Sequence, residues 1–291
     1  MYPNYEEVVN YLRKVDIHKL QEKISDFRKL DIKNISEVDL FQNIYKVLCE
    51  GNLGFKYIPN IGKYNINKVF YRARILGDID DLENVMQTKQ DFWSPPEKFV
   101  KNYGRLNKPG ESLLYTAPNP ITCVNELKIE PEQVFVLIKY KTIDKIKANI
   151  ICGDYDYDGM NIKDEKAKFV NEMLNNFLKE EYSREVGIGT EHLYKTSEMI
   201  AKNFFDLPPM VFQDAWAYVS TFDKKSYNVC FRPDIAQMKL MLDGAVIAKT
   251  DEIKTIKSLC FTPGYDERYQ RTYFYEMCEE YYRHMFPFIN N

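Results

Sequence analysis

The sequence predicts an α+β protein with an antiparallel or mixed sheet, flanking helices and a helical region at the N-terminus. Apolar residues recur at helical spacing in the first part of the chain, whereas short strand-like runs dominate the remainder. These strands and helices alternate irregularly, without the period that repeated βαβ units produce. A doubly wound parallel sheet is therefore not expected.

Residues 1–64 are predicted to form the N-terminal helical region, and residues 65–291 the main domain. The stretches YEEVVNYLRKV, HKLQEKISDFRKL and SEVDLFQNIYKVL place apolar residues three and four apart, and Ser36 with Asp39 is typical of a helix start. A Gly-, Asn- and Pro-rich stretch, 51–68, is predicted as a connecting loop. Because the apolar stripes of the helices must be buried, we expect this region to dock on the same chain or to form a homo-oligomer.

The main domain contains apolar, β-branched and aromatic runs typical of strands. These predicted strands cover 68–75, 112–117, 133–142, 147–152, 217–221, 227–232 and 244–250. Helices are predicted near 120–127, 164–182, 190–206 and 268–284.

The composition of the chain argues against binding to nucleic acid, insertion in a membrane and secretion. The net charge of -3 over 291 residues provides no basic field for nucleic acid. No apolar run reaches the roughly 18 residues of a membrane span, and the N-terminus lacks the pattern of a signal peptide, so a cytoplasmic protein is expected. The 6 cysteines have no C-x-x-C spacing and the 3 histidines are far apart, which favours buried reduced thiols and no metal site.

One acidic run matches the spacing of a calcium-binding loop. In DYDYDGMNIKDE, the carboxylates begin at Asp154 and end at Glu165, with Gly159 between them. A calcium hand requires a helix before the loop, however, and the preceding KANIIC is predicted as a strand. We therefore expect an acidic surface loop whose Asp and Gly residues form turns.

Glu126 lies on a short predicted helix. Asn119 and Pro120 are typical of an N-cap and a first helical position, so the helix begins there and runs to about residue 127. Thr122 and Glu126 are four residues apart and share one face. Taken alone, a glutamate at such a position is usually solvated or salt-bridged.

Arginines occur in two further segments that suit anion binding. Strand alternation in VFYRAR places Arg72 and Arg74 on one face, which is either a water-facing surface or the wall of an anion pocket. Arg105 lies in the turn-like GRLN segment, where its guanidinium can bind phosphate or carboxylate oxygens and Asn107 adds a neutral donor and acceptor. A plain turn is the alternative for this second segment.

Taken together, these motifs resemble the RES family, which is named for its Arg, Glu and Ser. The resemblance rests on the R-A-R strand (72–74), W-S-P-P (93–96), G-R-L-N-K-P-G (104–110), Y-T-A (115–117) and T-x-x-x-E (122–126), in that order. The second half matches more loosely, with Ser220 at the end of a strand and Asn228 at the start of the next. Ser226 is an alternative for the family serine. The resemblance covers about 69–235 and leaves the first 60 residues outside it.

The resemblance implies a fold similar to the ADP-ribosyltransferases and an enzyme that cleaves the nicotinamide–ribose bond of NAD+. Water, or inorganic phosphate as co-substrate, is the acceptor, and no cofactor is implied. It also implies a toxin or antiphage effector restrained by an antitoxin or regulatory protein. The implied catalytic residues are Arg72 and Glu126. The implied substrate-binding residues are Arg74, Arg105, Asn107, Tyr115, Thr122, Ser220 and Asn228.

Other functions remain open from the sequence. An ADP-ribosyltransferase would use the same pocket and pass the ribose to a macromolecule. A protein with the same fold but without turnover would act as an interaction module, with its N-terminal helices as the binding surface.

Overall fold

The computed structural model describes residues 5–49, 55, 57–76, 86–187, 189–206, 213–223, 226–251, 256–276 and 286. The helices are α1 (Tyr5–Leu12), α2 (Ile17–Arg28), α3 (Glu37–Leu48), α4 (Pro120–Glu126), α5 (Glu165–Ser183), α6 (Tyr194–Phe204) and α7 (Pro233–Lys239). The longer strands are β1 (Ile61–Tyr64), β2 (Val69–Ile75), β3 (Leu114–Thr116), β4 (Val134–Thr142), β5 (Ile146–Ile151), β6 (Ala215–Val219), β7 (Tyr227–Phe231), β8 (Leu240–Thr250) and β9 (Ile256–Thr262). Three two-residue strands follow, β10 (Tyr265–Asp266), β11 (Arg271–Thr272) and β12 (Tyr275–Glu276).

The chain divides into two compact units. Unit 1 comprises Met1–Gly62, Lys101–Pro109 and Asn149–Val219, and unit 2 comprises Lys63–Val100, Gly110–Ala148 and Ser220–Asn291. The first segment of unit 1 ends close to the boundary predicted at residue 64, but this unit also takes in two later segments. The predicted division into domains stays a prediction.

In unit 1 the N-terminal helices pack on the same chain, one of the two arrangements expected from their apolar stripes. Helix α1 contacts α5, and α2 contacts α3. The ring of Phe27 on α2 lies 5.0 Å from that of Phe177 on α5, in an edge-on arrangement. Ser36 caps α3 as predicted, since its Oγ accepts a hydrogen bond from the backbone N–H of Asp39 (3.1 Å).

Unit 2 contains an antiparallel sheet in the order β12, β9, β8, β4, β2. Residue 72 of β2 pairs with residue 138 of β4, and the register continues without a break along β2. A separate antiparallel pair joins β3 to β7. One side of the large sheet packs a buried core of Tyr71, Phe135, Leu137 and Val246 against residues of α4. The predicted α+β class with antiparallel strands is confirmed.

Some sequence predictions need correction. Of the helix predicted over 268–284, residues 268–276 form turns and the short strands β11 and β12, and residues 277–284 lie outside the described residues. The predicted loop 51–68 contains strand β1. In both places pairing with other strands overrides the local pattern of the sequence. Within the described residues, no helix has both the length and the apolar character required to cross a membrane.

The cysteines agree with the expectation of reduced thiols wherever they are described. Cys49, Cys123, Cys152 and Cys230 are buried thiols that form no disulfide, Cys260 is a half-buried thiol that forms none either, and Cys278 lies outside the described residues. Burial raises the pKa of the Cys123 thiol to about 12.

The acidic run at 154–165 contains turns at 157–161 and ends at Glu165, the first residue of α5. The backbone N–H of Gly159 donates to Asp156 Oδ1 (2.9 Å), and Asp154 forms an ion pair with Lys179 (3.0 Å). The loop follows strand β5 and precedes α5. Among the described residues, no group of three or more His, Cys, Asp or Glu side chains is placed to hold a metal ion.

A buried glutamate in unit 1 predicts a pH-dependent stability. Burial raises the pKa of Glu181 from its ordinary 4.5 to about 7, although Arg184, 2.5 Å from Glu181 Oε1, favours the charged form. Because this pKa is higher in the folded protein than in the unfolded chain, the stabilisation from the bound proton is complete below about pH 4.5 and is lost as the pH rises through about 7. We expect Glu181→Gln to reduce the loss of stability between pH 5 and 8, by roughly 3 kcal/mol at most.

Urea unfolding at both pH values measures this effect. Glu165→Gln, which changes an exposed glutamate at the other end of the same helix that pairs with Lys168, is the matched control and should leave the pH profile unchanged. Parallel stability profiles of the wild type and Glu181→Gln would show that Glu181 does not titrate as described.

Candidate active site

Helix α4 places Glu126 at the edge of the core of unit 2. The side chain of Asn119 accepts a hydrogen bond from Ile121 N (2.9 Å), and Pro120 occupies the first turn, as predicted. The Cys123 thiol donates to the carbonyl oxygen of Tyr71 on β2 (3.1 Å), which fixes the helix to that strand. With one side of α4 buried, Glu126 at its last position is half-buried.

One oxygen of the Glu126 carboxylate accepts hydrogen bonds from several donors. Its Oε1 lies 2.7 Å from Ser220 Oγ, 3.0 Å from Asn228 Nδ2 and 3.3 Å from the backbone nitrogen of Thr221. Hydrogen bonds to a carboxylate are stronger than those between neutral groups and fix its orientation. We call Glu126, Ser220, Thr221 and Asn228 the carboxylate cluster. The structure therefore brings together three residues, Glu126, Ser220 and Asn228, that the sequence marked separately.

The hydroxyl group of Ser220 has a defined hydrogen-bond direction. Its Oγ accepts from the backbone N–H groups of Phe222 (3.2 Å) and Asp223 (3.3 Å). With its lone pairs used in this way, the hydroxyl directs its single hydrogen to Glu126. Ser226, the alternative serine, contributes its backbone to the same turn: its carbonyl accepts from Ser220 N (2.9 Å).

Tyr115 lies on the same face of the β3–β7 pair as Asn228. Tyr115 is directly opposite Cys230 in the register, and residues 228 and 230 of β7 point to the same side. Thr122, one turn before Glu126 on α4, is only 2% exposed. The side chains of Tyr115 and Asn228 therefore project from the same side of the strand pair, the side on which the Asn228 amide contacts Glu126.

Arg72 contacts the first residue of the W-S-P-P segment, and Arg74 contacts Asp91 just before it. Val69, Tyr71 and Ala73 pack on the core that includes α4, so the predicted alternation along β2 is confirmed and the arginines lie on the opposite face. Arg72 Nη1 donates to the carbonyl oxygen of Trp93 (2.5 Å), and Arg74 Nη1 lies 3.7 Å from Asp91 Oδ1.

We call Arg72, Arg74, Asp91 and Trp93 the arginine cluster. Burial lowers the pKa of Arg74, and the nearby charge of Arg72 lowers it further. The buried Tyr140 hydroxyl also lies beside Arg72, whose charge opposes the rise of the tyrosine pKa to about 12 that burial causes. Among the hydrogen bonds of the described residues, none joins Arg72 to Glu126, so the arginine and carboxylate clusters are distinct parts of unit 2.

Arg105 and Asn107 belong to unit 1. Arg105 is 7% exposed, and its guanidinium donates to the carbonyl oxygens of Tyr182 and Arg184 and lies over the ring of Tyr194 at 5.0 Å. It thereby satisfies carbonyl groups at the C-terminal end of α5, where a positive charge also suits the helix dipole. Asn107 Nδ2 donates to the carbonyl of Lys108 (3.1 Å). These contacts give Arg105 a structural role in unit 1, and its contact with NAD+ stays a prediction.

Thr221 is a member of the carboxylate cluster that the sequence did not identify. Its hydroxyl lies 3.5 Å from each oxygen of the Glu126 carboxylate, in addition to the backbone contact. The one available signal was its position directly after Ser220.

Comparisons with known proteins give a distant similarity to a solved structure. No protein-family profile matches the chain, and no curated protein matches it. Among solved structures, a chain of the M. tuberculosis MbcT–MbcA toxin–antitoxin complex aligns with 11% identity over 64% of this chain and 86% of that chain, at a TM-score of 0.33. That TM-score is below the level at which two chains share a fold, so neither fold nor function is inferred from it.

Proposed function

We propose that the chain cleaves the nicotinamide–ribose bond of NAD+, with Glu126 as the catalytic carboxylate. The observation that carries the proposal is the carboxylate cluster, in which three donors hold one oxygen of Glu126 at 2.7 to 3.3 Å. The motif resemblance independently implies a catalytic role for Glu126 and substrate binding for Ser220 and Asn228. A glutamate exposed to solvent would accept its hydrogen bonds from water, whereas Glu126 accepts them from Ser220 and Asn228, which are distant from it in sequence.

The chemistry suits a fixed negative charge. When the bond between ribose C1′ and the nicotinamide nitrogen breaks, its electron pair goes to nicotinamide, which leaves as a neutral molecule. Positive charge then develops on C1′ and the ring oxygen, as in glycoside cleavage. A preorganised carboxylate beside the ribose stabilises that charge without reorganising. Water or phosphate adds to C1′ and releases a proton.

The arginine cluster supplies the anion-binding part of the proposal. Arg72 Nη1 donates to Trp93 O, and because a guanidinium carries five N–H donors, others remain for a pyrophosphate oxygen. A dinucleotide must be held at its pyrophosphate and at its ribose, so two distinct clusters are compatible with one extended ligand. No general acid is required for a neutral leaving group, and no cofactor is included in the proposal.

Loss of NAD+ would stop growth, so we further propose a toxin or antiphage effector that a partner protein holds inactive. The fold in this proposal resembles that of the ADP-ribosyltransferases.

NAD+ labelled in its adenylate half identifies the acceptor. We expect the purified full chain to release nicotinamide and to form free labelled ADP-ribose, or its 1″-phosphate when phosphate is present. Label attached to a macromolecule from a cell extract would instead assign the chain to the ADP-ribosyltransferases. Intact NAD+ under all conditions, with measurable binding of an unrelated protein, would favour an interaction module.

A further inference from the structure

The two oxygens of Glu126 have different surroundings. Oε1 accepts from Ser220, Asn228 and the backbone of Thr221. A carboxylate oxygen has two lone pairs, so Oε1 has no remaining capacity to accept a hydrogen bond from a ligand. In the described part of unit 2, Oε2 lies 3.5 Å from the Thr221 hydroxyl, too far for a strong hydrogen bond. A ligand hydroxyl that bonds Glu126 must therefore approach Oε2, beside Thr221.

The Thr221 hydroxyl is suited to act together with Oε2. It lies beyond the usual range of a strong O–H···O hydrogen bond, so it is not tied to the carboxylate. A hydroxyl can donate one hydrogen bond and also accept. The backbone N–H of Thr221 donates to Glu126 Oε1, and the turn at Ser220 fixes the adjacent backbone. The Thr221 side chain therefore has a defined position.

Glu126 Oε2 and Thr221 Oγ1, which lie 3.5 Å apart, are close enough to bind two hydroxyls on adjacent carbon atoms, a vicinal diol. Because the proposed function sets Glu126 beside C1′, its Oε2 meets the 2′-hydroxyl, and we propose that Thr221 Oγ1 binds the adjacent 3′-hydroxyl of the nicotinamide ribose. The 2′-hydroxyl is assigned to Oε2 because it neighbours C1′, where charge develops. This inference rests on the proposed function and makes Thr221 a residue that selects ribose.

A cycle of two substrates and three proteins tests the proposal. Turnover of NAD+ and of its analogue lacking the 3′-hydroxyl on the nicotinamide ribose is measured with the wild type, Thr221→Val and Thr221→Ser. Valine keeps the shape of threonine without the hydroxyl, and serine keeps the hydroxyl. For the wild type we expect kcat/KM about tenfold lower on the analogue, the effect of one hydrogen bond. On NAD+, Thr221→Val should show the same loss in kcat/KM. On the analogue, its kcat/KM should be almost the same as that of the wild type. Thr221→Ser should behave as the wild type on both substrates.

Any other outcome contradicts the assignment of Thr221 to the 3′-hydroxyl, and each outcome identifies which step of the proposal fails. If Thr221→Val loses the same factor on both substrates, Thr221 acts on the structure and does not recognise the 3′-hydroxyl. Equal turnover of the two substrates by the wild type would remove the proposed contact. If the wild type turns over neither substrate, the proposed function fails and this inference fails with it, whereas normal NAD+ turnover by Thr221→Val would contradict this inference alone.

Discussion

Glu126→Gln is expected to reduce NAD+ cleavage to less than a tenth of the wild-type rate. The change removes the negative charge but preserves the shape of the side chain, and the glutamine carbonyl can still accept from Ser220 and Asn228. Losing a preorganised electrostatic group typically costs about a hundred- to a thousandfold in kcat. Because the charge acts mainly on the transition state, KM should change little.

The matched control is Glu130→Gln, which alters an exposed glutamate just beyond the same helix and should retain full activity. Thermal unfolding of both variants checks that the fold is intact. If Glu126→Gln keeps more than a tenth of normal turnover, Glu126 is not the catalytic carboxylate.

Arg72→Ala should weaken NAD+ binding together with turnover. A guanidinium that holds pyrophosphate acts in the bound state and in the transition state alike, so its loss should raise KM as well as lower kcat/KM. Hydrogen bonds from a charged group predict an increase in KM of about ten- to a hundredfold. Arg72→Lys should recover only part of the loss, because lysine keeps the charge without the planar fork.

Arg72 also holds the carbonyl of Trp93, so the melting temperature of each variant must be compared with the wild type. Arg268→Ala, an exposed arginine of the same unit paired with Asp266, is the control and should bind NAD+ normally. An unchanged KM for a folded Arg72→Ala protein would contradict the assignment.

Local physical rules predicted the elements that carry the candidate residues. Asn119 and Pro120 marked the start of α4, and alternation along β2 placed Arg72 and Arg74 on one face, since each feature depends on neighbouring residues alone. Glu126 and Asn228, in contrast, are 102 residues apart in sequence. No periodicity encodes such a distance, so the family resemblance alone pointed to both.

The remaining differences also have physical causes. Thr221 contacts Glu126 through its backbone N–H, a group that every residue except proline carries, so only its position after Ser220 could have pointed to it. Arg105 follows a glycine in a turn and donates to carbonyl groups at the end of α5, contacts that local sequence does not encode, and its contact with NAD+ stays a prediction. Tyr275 pairs with Phe261 of β9 in a region where the apolar spacing predicted a helix.

The most direct test of the central claim compares NAD+ with its carbocyclic analogue, in which a methylene group replaces the ring oxygen of the nicotinamide ribose. The ring oxygen is required to share the positive charge that Glu126 is proposed to stabilise, but it is not needed for binding. We predict that the purified full chain releases nicotinamide from NAD+ and binds the carbocyclic analogue without cleaving it. Intact NAD+, or cleavage of both compounds at similar rates, would contradict the account.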